Sequence, residues 1–371
     1  MNKVSFIVPM YKAKSYIKPC VAALFRQGLE DFEILLIDDK SPDDTYEYAR
    51  DLYKDNPCVR VIEAEQNGGP AKARNRGLME ADGKYICFAD VDDMYVDGAV
   101  SKMLNIAITE EADVVHANGM YLTVVKPVPD DLSTLSEDDF AALVFTSGAR
   151  DIYDAAPYLR TEIKDRLAAF YSQECHWNVW GKLYKKEFLD KNDIRFLDMK
   201  LGEDCGFILM CLLNECKYVQ TNDFSYIYRI GDGESASRGK RVFVNALKSI
   251  FEAEKSLNGE FEKIPFVREN PEELIKLKNK IITDIEGPYA VVRYRQENRE
   301  ELKANPDVIA VFKEYYGDLA EDKMREVFDK YDKYPEVMSA ESFLGYDLWK
   351  AIKDKIGNDR VSLGGVKKLF E

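Results

Sequence analysis

The chain has 371 residues, enough for two or three domains that fold without disulfide or metal cross-links. Its formal net charge of −15 repels a phosphate backbone, so nucleic acid is not expected as a partner. The seven cysteines are scattered without paired C-x-x-C spacing, and no apolar run reaches the ~18 residues of a membrane span. We expect a cytoplasmic protein that contacts a membrane at most peripherally.

Residues 1–115 alternate short β-rich runs with helical stretches, which is typical of βαβ units on a mostly parallel sheet. The predicted strands are 4–8, 33–37, 59–62, 85–89 and 113–116. A helix is predicted to begin at Ser41 and to run toward Lys54. Ser41 would be its N-cap, Pro42 its first residue and Asp44 the acid at its third position.

Polar loops follow four of these strands, and in open α/β sheets ligands collect at that edge. The loops are 9–11, 38–39, 67–70 and 90–93. Asp90 and Asp92 form a D-x-D pair whose hard oxygens suit Mg²⁺ or Mn²⁺, although an isolated D-x-D is more often a solvated turn. Asp93 either belongs to the same cluster or caps a helix.

The rest of the chain divides by composition. Residues 127–175, rich in proline and acids, are predicted to form an inserted segment of helices and loops. Residues 176–238 are rich in aromatic side chains, and from about Gly239 the chain has helical periodicity. The apolar faces of the stretches at 242–253 and 343–352 must be covered, either within the chain or by a second copy in a homodimer.

Taken in order, these motifs resemble the inverting, metal-dependent nucleotide-sugar glycosyltransferases of family 2. The matching segments are 4–11, 32–41, 68–77, 180–184, 202–204 and 228–229, with Ser235 and Ser237. The resemblance implies an α/β GT-A (Rossmann-like) fold over residues 1–238. Residues 1–115 would be the nucleotide-sugar-binding half, 116–238 the acceptor-binding half, and 239–371 a helical C-terminal domain.

The resemblance also implies roles for single residues. Those implied in donor binding are Pro9, Tyr11, Asp39, Arg74, Asn75, Asp90 and Arg229. Asp39 would accept a hydrogen bond from uracil N3, and the Arg74 guanidinium would match phosphate oxygens. Asp92, with Asp90, would hold Mn²⁺ or Mg²⁺. A histidine ligand found in many relatives has no counterpart here, because both histidines, His116 and His176, precede the acceptor motif.

An inverting transfer needs a base for the acceptor hydroxyl, and a carboxylate suffices. Asp204 is the predicted base and Glu203 the alternative, since adjacent side chains point in different directions. Trp177 and Trp180 are weaker candidates for stacking on the acceptor sugar, because most aromatic residues are core.

The predicted function is transfer of a sugar, a hexose or N-acetylhexosamine, from a UDP-sugar to a glycan, lipid-linked or polyol-type acceptor during polysaccharide synthesis. A phosphatase of the haloacid dehalogenase type is not favoured, because its D-x-D follows the first strand, whereas the D-x-D of this chain follows the fourth predicted strand. A Rossmann dehydrogenase would need G-x-G-x-x-G after the first strand, which this chain lacks. The remaining alternative is a non-catalytic glycan-binding or scaffold protein on a degenerate transferase fold.

Overall fold

The computed structural model describes residues 3–123, 143–146, 158–172, 174–199, 202–229, 243–281, 290–291, 294 and 297–333. The chain divides into two compact units. The first contains the described residues up to Asp198 and those from Asp204 to Arg229. The second contains the helices between Phe243 and Lys333.

The described strands of the first unit form one mixed sheet. They are β1 (Val4–Met10), β2 (Phe32–Asp38), β3 (Val59–Glu63), β4 (Tyr85–Phe88), β5 (Met94–Tyr95), β6 (Val114–Thr123), β7 (Leu143–Thr146), β8 (Tyr158–Arg160), β9 (Lys182–Lys185) and β10 (Tyr218–Arg229). Their order is β3-β2-β1-β4-β9-β6-β10-β5, with β7 beside β6 and β8 beside β10. Strands β1 to β4 are parallel, as are β6 and β10, and β9 runs antiparallel between the two groups. The predicted fold class is confirmed.

Along the chain, the helices of the first unit alternate with these strands. They are α1 (Ile17–Phe25), α2 (Thr45–Tyr53), α3 (Pro70–Glu80), α4 (Ala99–Thr109), α5 (Ile163–Tyr171), α6 (Lys186–Lys191) and α7 (Glu203–Leu213). Strands β1 and β2 are buried on both faces, which explains their nearly continuous apolar sequences. The hydrophobic core extends from these two strands to β6, β9 and β10, where Val115, Leu183 and Val219 belong to the same buried cluster.

Helix α2 begins at Thr45, so the predicted start at Ser41 is wrong. The Ser41 hydroxyl is used elsewhere: it donates to Asp38 Oδ1 at 2.6 Å and accepts from the Lys12 amide at 3.0 Å. Asp43 instead accepts hydrogen bonds from the Thr45 amide and hydroxyl. Ser41 thus closes the turn after β2 and is not available as a helix cap.

The inserted segment contains strands where only helices and loops were predicted. Residues 158–160 pair antiparallel with β10, and residues 143–146 pair antiparallel with β6. Helix α5 follows, which agrees with the prediction of helices in this segment. These two segments are too short and too weakly patterned to be recognised as strands from sequence, and they are strands because they pair with β10 and β6. The rest of 127–157 lies outside the described residues.

Helix α3 packs unusually close to β1. A Cβ added at Gly77 would lie 2.3 Å from Ile7 Cγ2, and Ile7 is fully buried. Only a glycine permits this approach without displacing β1. The close contact sets the position of the whole helix, including Arg74 and Asn75, relative to the sheet edge.

The second unit is helical. Its described helices are α8 (Phe243–Phe261), α9 (Pro265–Glu269), α10 (Pro271–Ile281), α11 (Arg299–Ala304), α12 (Pro306–Tyr316) and α13 (Ala320–Lys333). The apolar face of α8 is buried inside this unit: Phe251 meets Phe312 edge-on at 5.1 Å, and Phe243 packs near Phe328. The second predicted amphipathic stretch, 343–352, lies outside the described residues. None of the described helices is both long and apolar enough to cross a membrane.

Candidate active site

Asp39 stands just beyond the carboxyl end of β2 and holds the glycine loop that precedes α3. Its Oδ1 accepts from the Gly68 amide at 2.8 Å and its Oδ2 from the Gly69 amide at 2.7 Å. Its main-chain oxygen accepts from the Asn67 side chain. Each carboxylate oxygen has a second lone pair, so this bracing leaves Asp39 able to accept from a ligand as well.

Asp38 has a different task. It is fully buried, and its carboxylate accepts from both the hydroxyl and the amide of Ser41. Burial raises its pKa, and the two hydrogen bonds act in the opposite direction. Asp38 therefore shapes the turn that presents Asp39.

Asp90 follows β4 and is held from two sides. Its amide donates to the Tyr226 hydroxyl at 3.0 Å, and its main-chain oxygen accepts from the Asp93 amide. Tyr226 is fully buried, and its ring stacks on Trp180 at 4.2 Å between centroids. Asp93 is buried ahead of β5 and far from the start of α4, so the helix-cap alternative for it is wrong.

Arg74 of α3 links Asp90 to the predicted base. Its Nη2 lies 2.8 Å from Asp90 Oδ1, and its Nη1 lies 2.8 Å from Asp204 Oδ1. Only 4% of Arg74 is exposed, whereas the side chains of Asp204 and Asp90 are 14% and 28% exposed. Asp204 enters from the first turn of α7, one residue after Glu203. The structure thus joins three residues from distant parts of the chain.

The side-chain amide of Asn75 is bonded to the main chain of Phe196. Its Nδ2 donates to the Phe196 oxygen at 2.7 Å, and its Oδ1 accepts from the Phe196 amide at 2.9 Å. This two-point bond ties α3 to the segment before α7. The Asn75 amide is therefore engaged within the protein and fixes the position of α3 relative to this segment.

The other predicted site residues lie at the periphery or outside the described part. Pro9 is half-buried near the end of β1, and Tyr11 is 47% exposed beside the rim. Trp177 is 40% exposed, whereas the Trp180 ring is stacked against Tyr226. The backbone of Arg229 ends β10, and its side chain lies outside the described part of the structure.

Three basic side chains influence one another in the region of β6 and β9: His116 and Lys182 are buried, and His176 is partly exposed. His116 of β6 pairs with Lys182 of β9 across the sheet. Burial lowers the pKa of His116 well below its usual range and that of His176 to about 4. Both histidines are therefore neutral near pH 7. Burial also lowers the pKa of Lys182 to about 8, while its ammonium donates to the Asn178 oxygen.

Comparisons with known proteins place this site in a family. The glycosyl transferase family 2 model matches residues 5–126, from β1 to the end of β6. "Glycosyltransferase GlyG" of Streptococcus pneumoniae serotype 4 is 33% identical over 232 residues, which are 62% of this chain and 71% of that protein. The chain belongs to glycosyltransferase family 2.

Two further similarities extend the comparison. This family 2 chain is 32% identical to the "Uncharacterized glycosyltransferase EpsJ" of Bacillus subtilis over 227 residues, 61% of this chain and 60% of that relative. The crystal structure of Staphylococcus aureus TarS 1-349 in complex with UDP-GlcNAc aligns with a TM-score of 0.56 at 19% identity, covering 96% of this chain and 91% of that one. TarS is named as a poly(ribitol-phosphate) beta-N-acetylglucosaminyltransferase, 28% identical over 232 residues. The structural likeness confirms the GT-A fold.

The carboxylates of this family 2 protein suit a metal that is shared with a substrate. Among the residues that the structure describes, no group of three or more His, Cys, Asp or Glu side chains is arranged to hold an ion. Mg²⁺ is commonly held by one or two carboxylates together with substrate phosphates, so the two carboxylates of Asp90 and Asp92 are of a type and number that such a site would need.

Sequence reasoning missed two of the groups that build the site. Tyr226 is not among the predicted site residues, yet its hydroxyl accepts a hydrogen bond from the Asp90 amide. Phe196, which was not singled out, lies 5.3 Å from the Arg74 guanidinium carbon and binds Asn75 through its main chain. Neither contact leaves a local sequence signal, because the partners are separated by more than 100 residues.

Proposed function

We propose that this protein is an inverting glycosyltransferase that moves a sugar from a UDP-sugar to a hydroxyl of a cell-wall or surface polymer. Support comes from family membership and from relatives such as TarS, whose name specifies transfer to poly(ribitol phosphate). The TarS structure that shares this fold holds UDP-GlcNAc. The matched region spans 60% of the Bacillus subtilis relative EpsJ, so the proposal concerns the transferase half.

The observation that carries the proposal is the convergence of Asp90 and Asp204 on one buried guanidinium. Asp90 ends a strand of the nucleotide-binding half, and Asp204 begins a helix of the acceptor half. A donor held at the first residue would therefore present its sugar near the second. A scaffold protein would have no need of a base at this position.

In the proposed reaction, Asp39 and the glycine loop bind the uracil end of the donor. Asp204 accepts the proton of the acceptor hydroxyl while that oxygen attacks C1 of the sugar from the face opposite the diphosphate. The new bond joins the acceptor oxygen to C1, and the bond from C1 to the diphosphate breaks, with its electron pair leaving on UDP. A divalent ion, when bound at Asp90 and Asp92, would offset the negative charge of the diphosphate.

The proposal is tested by measuring UDP release from a panel of UDP-, GDP- and dTDP-sugars, with Mn²⁺ or with EDTA. Turnover of a UDP-sugar that depends on the metal and is lost in Asp204→Asn would support it. Glu203→Gln is measured in parallel, because Glu203 is the alternative base and loss of turnover in that variant instead would assign the role to Glu203. Binding of a glycan without hydrolysis or transfer of any donor would favour the non-catalytic alternative.

Calorimetry with UDP separates the metal role from the chemistry. Two carboxylates and a diphosphate repel one another, so UDP should bind more tightly with Mn²⁺ than with EDTA. Asp92→Ala should remove that difference. Equal affinity in both buffers for the unmodified protein would exclude a metal at Asp90 and Asp92.

A further inference from the structure

The two nitrogens at the tip of Arg74 serve two different carboxylates. Nη1 donates to Asp204 Oδ1 and Nη2 to Asp90 Oδ1, both at 2.8 Å. The bonded oxygens belong to residues 16 and 130 positions away along the chain. Charge-assisted bonds of this length are among the stronger hydrogen bonds in proteins, and a guanidinium fork fixes their directions.

The Arg74 side chain is itself held in place. Its guanidinium carbon lies 5.3 Å from the centre of the Phe196 ring, and that ring stacks on Phe207 at 4.3 Å. Phe88 meets Phe196 edge-on at 5.2 Å. Asn75, the residue after Arg74 on α3, makes two hydrogen bonds to the main chain of Phe196 through its side-chain amide. Arg74 therefore has little freedom to swing toward a ligand without breaking several contacts.

This geometry differs from that of an arginine whose first task is to bind a donor phosphate. Such an arginine extends toward the ligand, whereas Arg74 is 4% exposed and its fork already engages two carboxylates. The guanidinium remains charged at every pH at which the protein is folded, so it does not exchange protons with its partners. Its contribution is positional and electrostatic.

We infer that Arg74 is a positioning residue: it orients the Asp204 carboxylate toward the acceptor and ties it to the D-x-D turn at Asp90. The inference rests on the proposed function, because it assumes that Asp204 is the base. A misplacement of a reacting group by about 1 Å can lower a rate on the order of 100-fold. Loss of Arg74 should thus act on turnover and leave donor binding nearly intact.

The test compares Arg74→Gln, Arg74→Lys and Asp204→Asn, and combines the first with the third. Arg74→Gln should lower kcat by about 10- to 100-fold while the donor KM and the Kd for UDP stay within about threefold. Arg74→Lys keeps the charge but not the fork, so its kcat should lie between those of Arg74→Gln and the unmodified protein. In the Asp204→Asn background, Arg74→Gln should add little, since both changes disable one unit.

Arg76→Gln is the matched control. It lies on the same helix, its side chain is 49% exposed, and it pairs with Glu80 four residues away, so turnover should not change. Thermal melting and circular dichroism identify any variant that fails to fold. For such a case Arg74→Ala offers a second readout: guanidinium chloride at a non-denaturing concentration should restore part of its kcat, but none in Asp204→Asn.

The outcomes for Arg74 variants test the positioning role, and the outcome for Asp204→Asn tests the proposed function. A tenfold or greater rise in the Kd for UDP in Arg74→Gln with kcat unchanged would overturn the inference and make Arg74 a phosphate ligand. Full additivity of the two changes would also overturn it. Near normal turnover in Asp204→Asn would instead remove the base from the proposed mechanism.

Discussion

Lys182 offers a direct test of the buried interior around β9. It is 0% exposed on β9, and its ammonium donates to the Asn178 oxygen at 2.6 Å. Burial lowers its pKa from 10.5 to about 8, although Cys175 and Asp204 act in the opposite direction. In the folded state the charged form is therefore disfavoured, and Lys182→Met removes the titrating group.

The sign follows from proton binding. Between pH 8 and 10.5 the unfolded chain holds the Lys182 proton and the folded chain releases it, so the free energy of unfolding rises with pH. From pH 7 to 9.5 this shift raises stability by about 2 kcal/mol. The difference between the unmodified protein and Lys182→Met should therefore move by about 2 kcal/mol in favour of the former as pH increases over that range.

The assay is urea unfolding at 25 °C, followed by tryptophan fluorescence in a Trp349→Phe background. Trp177 and Trp180 then report on the first unit alone, which avoids mixing the transitions of two compact units. The matched control is Lys185→Met on the same strand, whose side chain is 28% exposed. A difference between Lys182→Met and the unmodified protein that stays constant from pH 7 to 9.5 would refute a buried amine of lowered pKa.

Three further predictions concern the site and its supports. Asp204→Asn should fold and bind UDP normally but lose transfer by roughly 100-fold or more, measured as UDP release, and loss in Glu203→Gln instead would exchange the two roles. Asp39→Asn places an amide group against the loop N–H groups, so calorimetry should show UDP binding weakened by about tenfold, and unchanged affinity would contradict its role. Gly77→Ala forces a methyl group onto Ile7 and should lower the unfolding free energy by about 1–3 kcal/mol; an unchanged melting temperature would show that β1 yields.

The sequence alone determined the parallel half of the sheet and the edge at which the site lies. Strands β1 and β2 are buried on both faces, so their apolar runs identify them without knowledge of their neighbours. Asp39 and Asp90 come within two residues of the ends of their strands, and the carboxyl ends of parallel strands meet at one edge. The order of the motifs was sufficient to identify the family.

Only the tertiary structure decided how the site is held together. Arg74 bonds Asp204 from 130 residues away, and Asn75 bonds Phe196 from 121 residues away, and no local periodicity encodes such contacts. Helix α2 begins later than predicted because the Ser41 hydroxyl is hydrogen-bonded to Asp38 and does not cap the helix. Residues 158–160 form β8 because they pair with β10. Hydrophobic patterning specifies which faces are buried, but polar side chains choose among several partners, and that choice depends on which groups the completed fold brings within hydrogen-bonding distance.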